Sequence, residues 1–237
     1  MRLILIRHGD PDYANDTLTE KGEREARLLA GRVSGWKMDE IYCSPLGRAK
    51  KTAQLALRER FKEAVILDWM QEFTGRITDP ESGRKRIPWD LMPGFWTEEE
   101  RFYGKDSWGE PDLMRDGGVK EIYQEVCRNL DLFLEDHGYR REGRLYRTDE
   151  RAADQNIVIF AHMGINLVFM SHLLGISPVL LWQGFFLPTT SVTVLGTEER
   201  VKGQAYFRCQ VSGSTAHLYD GGEPVSRAGY FTEPFQG

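Results

Sequence analysis

The chain has 237 residues, with 31 basic and 36 acidic side chains and a formal charge of −5. That length buries a large core in one domain carrying an elaboration, and the acidic balance excludes nucleic acid as the main partner. Three widely spaced cysteines, Cys43, Cys127 and Cys209, lack metal-ligand spacing and read as buried thiols of a reducing cytoplasm.

In chain order, Leu3-Ile4-Leu5-Ile6 forms a short buried strand that runs into Arg7-His8-Gly9. The apolar run is too short for a secretory signal and ends in arginine, which adds to the expectation of a cytoplasmic protein. Asp10 to Leu18 reads as a loop. Thr19 is placed as an N-cap, with Glu20 and Glu23 in the first turn and Ala26, Leu29, Ala30 and Val33 at helical spacing behind it. Ile41-Tyr42-Cys43 is a second strand. Ser44-Pro45 then opens a helix, with serine at the cap and proline at the first helical position. Thr52 to Leu57 continue that helix, and Ala64 to Leu67 make a third short strand.

Residues 73–118 break this rhythm with glycines, prolines and many aromatic side chains. A connection of that length is functional or disordered, and its aromatic density argues for order. We read it as an inserted cap with a small core of its own. Val119, Ile122, Val126, Leu130 and Phe133 mark a returning helix. Arg140 to Asp154 is a charged loop or hairpin whose alternating arginines and acids read as a solvated face.

Asn156 to Ala161 is another apolar strand that ends in a histidine, His162. From Gln155 to Thr197 there is no Asp, Glu, Lys or Arg, long enough for a membrane span. His172, Gly175, Pro178, Gln183 and Gly184 interrupt the stretch, so a helix and a turn at the centre of a core are favoured and no membrane partner is expected. Ser191 to Leu195, Ala205 to Val211 and Ala216 to Tyr219 read as late strands.

Alternating strands and helices give an α/β fold with a mostly parallel sheet, whose active residues collect at one edge. Arg7-His8, the Ser44-Pro45-Leu46-Gly47-Arg48-Ala49 turn and His162 reach that edge. Two guanidiniums and two imidazoles suit a compact, multiply charged anion, since the arginine fork matches phosphoryl oxygens. A neutral histidine there can attack phosphorus with one ring nitrogen while the other donates to a fixed acceptor. Arg7, Arg48 and His162 supply positive charge without a metal. A carboxylic acid protonates the leaving alkoxide and later takes a proton from water.

Other phosphate chemistries fit poorly. The arginine a Cys43-based phosphate loop needs is displaced, because Ala49 stands there and Arg48 falls one residue short. Gly104-Lys105 lacks the rest of a Walker-type loop, and Asp10 with Asp12 does not make a metallophosphatase ligand set.

Arg7-His8-Gly9, Leu18-Thr19-Glu20-Lys21-Gly22, Ser44-Pro45-Leu46-Gly47-Arg48-Ala49 with Thr52-Ala53, and His162 together resemble the histidine phosphatase superfamily. Within it the chain is similar to the phosphoglycerate mutase-like branch over roughly residues 1–72 and 119–218. The resemblance implies a three-layer α/β/α sandwich with a mostly parallel central sheet and an inserted cap at about 73–118. It implies His8 as the phosphorylated nucleophile, Arg7 and Arg48 as phosphate ligands, and His162 as a stabilising group. The acid it calls for after the third strand falls on Glu72, with Asp68 as rival. Asn15, offset by one position, stands for a phosphate-contacting asparagine, and Met163 offers its backbone N–H at a helix start. The acid phosphatase and phytase branch has aspartate after the second histidine, where this chain has Met163.

The expected activity is cytoplasmic, metal- and cofactor-independent hydrolysis of small phosphorylated metabolites through a phosphohistidine on His8. A phosphoglycerate-type mutase is the runner-up, and a non-catalytic phospho-ligand module is the alternative of another class. His137, His172 and His217 are expected to be structural. Gly83-Arg84-Lys85-Arg86 is either a solvated run or a subsite for a second anionic group. The apolar Leu180 to Phe186 stretch fits a substrate surface, core or the interface of a homodimer.

Overall fold

The computed structural model describes residues 1–80 and 82–227, so residues 228–237 of the single-domain reading lie outside the described part. The main sheet comprises β1 (Arg2–Arg7), β2 (Glu40–Cys43), β3 (Val65–Ile66), β4 (Tyr139–Glu142), β5 (Leu145–Thr148), β6 (Asn156–Ala161), β7 (Val192–Val201) and β8 (Gln204–Ser214). These eight strands run in the spatial order β3-β2-β6-β1-β7-β8-β5-β4. The sheet is parallel through β3, β2, β6 and β1. From β1 outward it continues antiparallel.

Side chains alternate across each strand, and the core divides accordingly. Leu3, Leu5, Ile157 and Ile159 face α3 (Val119–Asp136), α4 (Met163–Leu174) and α5 (Pro178–Gly184). Ile4, Ile6, Val158 and Phe160 face α1 (Glu20–Val33) and α2 (Gly47–Leu57). The result is a three-layer α/β/α sandwich.

The parallel strands deliver the sequence motifs to one edge. Arg7 pairs with Ala161, and Phe160 with Cys43. The ladder then runs one step further: His8 N–H donates to the Ala161 carbonyl at 3.0 Å, and Ser44 N–H to the Phe160 carbonyl at 2.9 Å. Backbone hydrogen bonds therefore set His8, Ser44 and His162 side by side.

The chain also departs from the sequence expectations. Thr19 caps α1 as expected, accepting from Gly22 N–H at 3.1 Å, but Ser44 does not cap α2. That helix begins at Gly47, and its first N–H donates instead to the Asp16 carboxylate at 2.6 Å. The loop after Gly9 holds a two-stranded ribbon, Pro11–Asp12 against Thr17–Leu18. The described residues of 73–118 show no separate core: Phe73, Ile77, Leu91, Phe102, Trp108 and Met114 join the cluster that contains Leu3 and Leu5. Trp108 explains the merger, packing edge-on against Tyr123 of α3 at 4.9 Å and Trp182 of α5 at 6.0 Å.

Ala216 to Tyr219 is helical rather than extended, within α6 (Ala216–Asp220). The Thr215 carbonyl accepts from Leu218 and Tyr219 N–H groups, and the turn buries His217 and Leu218. Arg141 in the charged hairpin is not a solvated side chain. It reaches Asp131 at 3.0 Å and the His172 carbonyl at 2.9 Å. The uncharged block after β6 forms α4, buried on nearly every side, as expected of a helix apolar all round. No helix among the described residues is long and apolar enough to cross a membrane.

Candidate active site

His8 follows directly from β1 and is 2% exposed. Its Nδ1 lies 2.7 Å from the Gly9 carbonyl oxygen. A carbonyl only accepts, so Nδ1 carries the proton and Nε2 is left with its lone pair. Gly9 serves close backbone approach, because a Cβ there would meet the Gly22 carbonyl oxygen at 2.7 Å. Gly9 N–H donates to Thr52 Oγ1 at 2.9 Å, and that hydroxyl donates to the Arg48 carbonyl at 2.7 Å. The loop after β1 is thus fastened to α2 and lies close against α1.

His162 packs its ring 5.1 Å from that of His8. Its Nε2 lies 2.7 Å from Ser44 Oγ, while Nδ1 is buried without a partner. Ser44 Oγ accepts from Leu46 N–H at 3.3 Å, and with its hydroxyl hydrogen directed at His162 Nε2 the ring carries its own proton on Nδ1. This is why Ser44 is absent from the helix cap. Burial first, and then Arg7, push the His8 pKa well below the ordinary histidine value. Burial, His8 and the two arginines do the same for His162. Both rings are neutral near pH 7.

Arg7 points one Nη1 at the Leu187 carbonyl, 2.6 Å away, and at the Met163 sulfur, 3.6 Å away. Arg48 is held by Asp16 at 2.6 Å and faces the Tyr13 ring, 5.4 Å from its centroid. The Nε atoms of both arginines are buried and unpartnered, as is His162 Nδ1. Buried polar groups are nearly always satisfied. Of the four unpartnered side-chain atoms found among the described residues, these are three. A tetrahedral anion beside His8 offers the acceptors they lack.

Glu72 sits against the N-terminus of α4. Its Oε1 accepts from Phe73 and Ile165 N–H at 2.8 and 3.0 Å, and Oε2 from Gly164 N–H at 3.3 Å. Burial raises its pKa, although these bonds and Arg7 oppose the shift. Asp68 is exposed, in a single helical turn.

Five of the seven expected site residues converge in this way: Arg7, His8, Arg48, Glu72 and His162. Met163 joins through its side chain, a thioether against Arg7. Asn15 stands apart, exposed and donating its amide to Asp12 at 2.7 Å. Its neighbour Asp16 turns inward at φ 46° and takes Arg48. Asp16 and the partnership of Ser44 with His162 were not anticipated, and Thr52, quoted only as part of the resemblance, gains a role in holding Gly9. In the basic run, Arg84 and Lys85 are exposed, while Arg86 is bound to Asp79 at 2.7 Å and Asp90 at 3.1 Å.

Fold and site together define an α/β protein that brings imidazole, guanidinium and carboxyl groups to the carboxyl edge of parallel strands. The chain belongs to the histidine phosphatase superfamily (branch 1), whose family model matches residues 3–206. It is similar to an adenosylcobalamin/alpha-ribazole phosphatase of Escherichia coli K12, 25% identical over 200 residues that cover 77% of this chain and 84% of the relative. A 2,3-bisphosphoglycerate-dependent phosphoglycerate mutase of Arabidopsis thaliana is 32% identical, over 55% of this chain and 42% of the relative. Among solved structures, a mutant phosphoserine phosphatase of Entamoeba histolytica in complex with phosphoserine superposes with a TM-score of 0.61. It is 22% identical and covers 92% of this chain and 98% of that one, a likeness of fold.

Proposed function

We propose that the protein is a metal-independent phosphomonoesterase that works through a phosphohistidine on His8. The observation that carries this reading is the set of three unpartnered nitrogens, on Arg7, Arg48 and His162, gathered around a histidine whose Nε2 is free. His8 Nε2 attacks phosphorus in line, the ester P–O bond breaks, and Glu72 gives its proton to the departing alkoxide. The arginines and His162 Nδ1–H hold the equatorial oxygens. Glu72, now a carboxylate, takes a proton from water, which displaces phosphate from His8 and restores both groups.

Hydrolysis is favoured over mutase transfer by the surroundings of the site. A second phosphoryl or carboxylate group is favoured by an uncommitted cation, and Arg86 beside the pocket residue Asp90 is already committed to two aspartates. Cysteine chemistry is disfavoured as well, since burial pushes the thiols of Cys43 and Cys127 up to about 12. A cytoplasmic location belongs to this proposal and rests on three free cysteines, of which Cys43 and Cys127 are buried and Cys209, against the expectation, is exposed. The reading is tested with a panel of phosphomonoesters, with and without a bisphosphate primer. Phosphate release without primer is expected, whereas phosphoryl migration that depends on primer would establish the mutase.

Two further outcomes are expected. Ser44→Ala removes the donor that holds His162 in the Nδ1–H tautomer. The kcat is expected to fall about 10- to 100-fold, the effect of leaving one buried acceptor unpaired. A purely structural serine would instead lower the melting temperature and spare kcat. The pH profile of kcat/KM follows from the shifts at His8 and Glu72. His8, with a lowered pKa, keeps its lone pair below the ordinary histidine range, and Glu72, with a raised pKa, keeps its proton above the ordinary carboxylate range. The rate is therefore bounded by protonation of His8 on the acid side and by deprotonation of Glu72 on the alkaline side, and a rate that climbs steadily into alkali would contradict the assignment.

A further inference from the structure

A cavity of about 570 Å³ opens beside the phosphate site and shares Arg7 and Met163 with it. Its size falls within the range of small-molecule pockets. An ester whose phosphoryl group lies among His8, His162, Arg7 and Arg48 has this cavity as the place for its alcohol. We infer that the alcohol portion of the substrate is a flat aromatic or apolar group carrying no second anionic charge. The inference rests on the phosphomonoesterase reading and narrows it.

The walls are the first argument. Trp89 and Trp182 stand with ring centroids 6.4 Å apart and planes tilted by 47°, and Phe185, Phe186, Leu91 and Met92 complete the apolar lining. Phe186 also lies 5.5 Å from the Arg7 guanidinium, so the aromatic surface begins where the phosphate ligand ends. Trp182 is fixed in place: its indole N–H donates to the Gly164 carbonyl at 3.3 Å. Gly164 in turn is needed for Trp89, because a Cβ there would meet that ring at 2.4 Å. Such preset rings stack a planar guest with little loss of side-chain freedom.

Charge is the second argument. Arg7 and Asp90 are the charged residues of the lining. Arg7 serves the phosphoryl group, and Asp90 is an acid that already holds Arg86 at 3.1 Å. A carboxylate or second phosphate entering here loses water, meets a like charge and gains no cation. Residues 87–93 and 182–186, from the segment 73–118 and the end of α5 respectively, thus act together as a selector for the leaving group.

The test compares three alkyl esters of similar leaving-group basicity: phenethyl phosphate, ethyl phosphate and 3-phosphoglycerate. The expected order of kcat/KM has phenethyl phosphate about tenfold or more above ethyl phosphate, with 3-phosphoglycerate lowest. Trp89→Ala and Phe185→Ala are each expected to cut the phenethyl-to-ethyl ratio about fivefold or more. Phe185 is 45% exposed at the mouth, so its truncation spares the core should the Trp89 variant not fold. A preference for 3-phosphoglycerate, or a ratio that both variants leave intact, overturns the inference. Inertness toward all three esters with no phosphate transferred to His8 overturns the phosphatase reading itself, and this inference with it.

Discussion

Replacing His8 with alanine is expected to lower turnover of every phosphomonoester by at least about 10⁴-fold, a loss on the scale seen when a covalent nucleophile is removed. No neighbouring group can take over. His162 has its Nε2 engaged with Ser44, and the thiol of Cys43 is held protonated by burial. The variant should nonetheless fold, because His8 fixes its loop mainly through backbone bonds, Ala161 to His8 N–H and Thr52 to Gly9 N–H. It should also still bind inorganic phosphate through Arg7, Arg48 and His162, visible as a rise in melting temperature with phosphate concentration. Turnover within tenfold of the unaltered protein would remove His8 from the chemistry.

The second large effect belongs to Glu72→Gln. The amide oxygen of glutamine can still accept from α4, but the side chain has no acidic proton. For esters of ordinary alcohols, kcat is expected to fall about 10²- to 10⁴-fold. An ester such as 4-nitrophenyl phosphate, whose leaving group departs without a proton, should lose much less in its first step. Its phosphohistidine should then accumulate, because water is no longer activated. The alkaline limb of the pH profile should disappear along with the raised-pKa carboxyl. Equal losses for both kinds of ester would mean that Glu72 only supports the helix end.

These effects were partly legible before any coordinates, and the reason is the strand ladder. Arg7, His8 and His162 follow runs of apolar residues whose parallel pairing has one register, so their meeting follows from pattern alone. Glu72 was placed through the family resemblance, which implies an acid after the third strand. What escaped the sequence depends on contacts between segments far apart in the chain. Ser44 looked like a helix cap because Ser-Pro is a local signal, yet its hydroxyl found His162, 118 residues on. Asn15 and Asp16 are adjacent, and only the left-handed turn at Asp16 decides which one faces Arg48. The aromatic density of residues 73–118 signalled order, but not that the order is shared with α3 and α5.

The central claim is a covalent bond between His8 and phosphorus. It is tested most directly by mixing the protein with a phosphorus-labelled ester, quenching in alkali during turnover, and mapping the label by peptide. The account predicts stoichiometric label on the peptide that carries Arg7-His8-Gly9 and none in His8→Ala. Full turnover with an unlabelled protein, or label on any other residue, would contradict it.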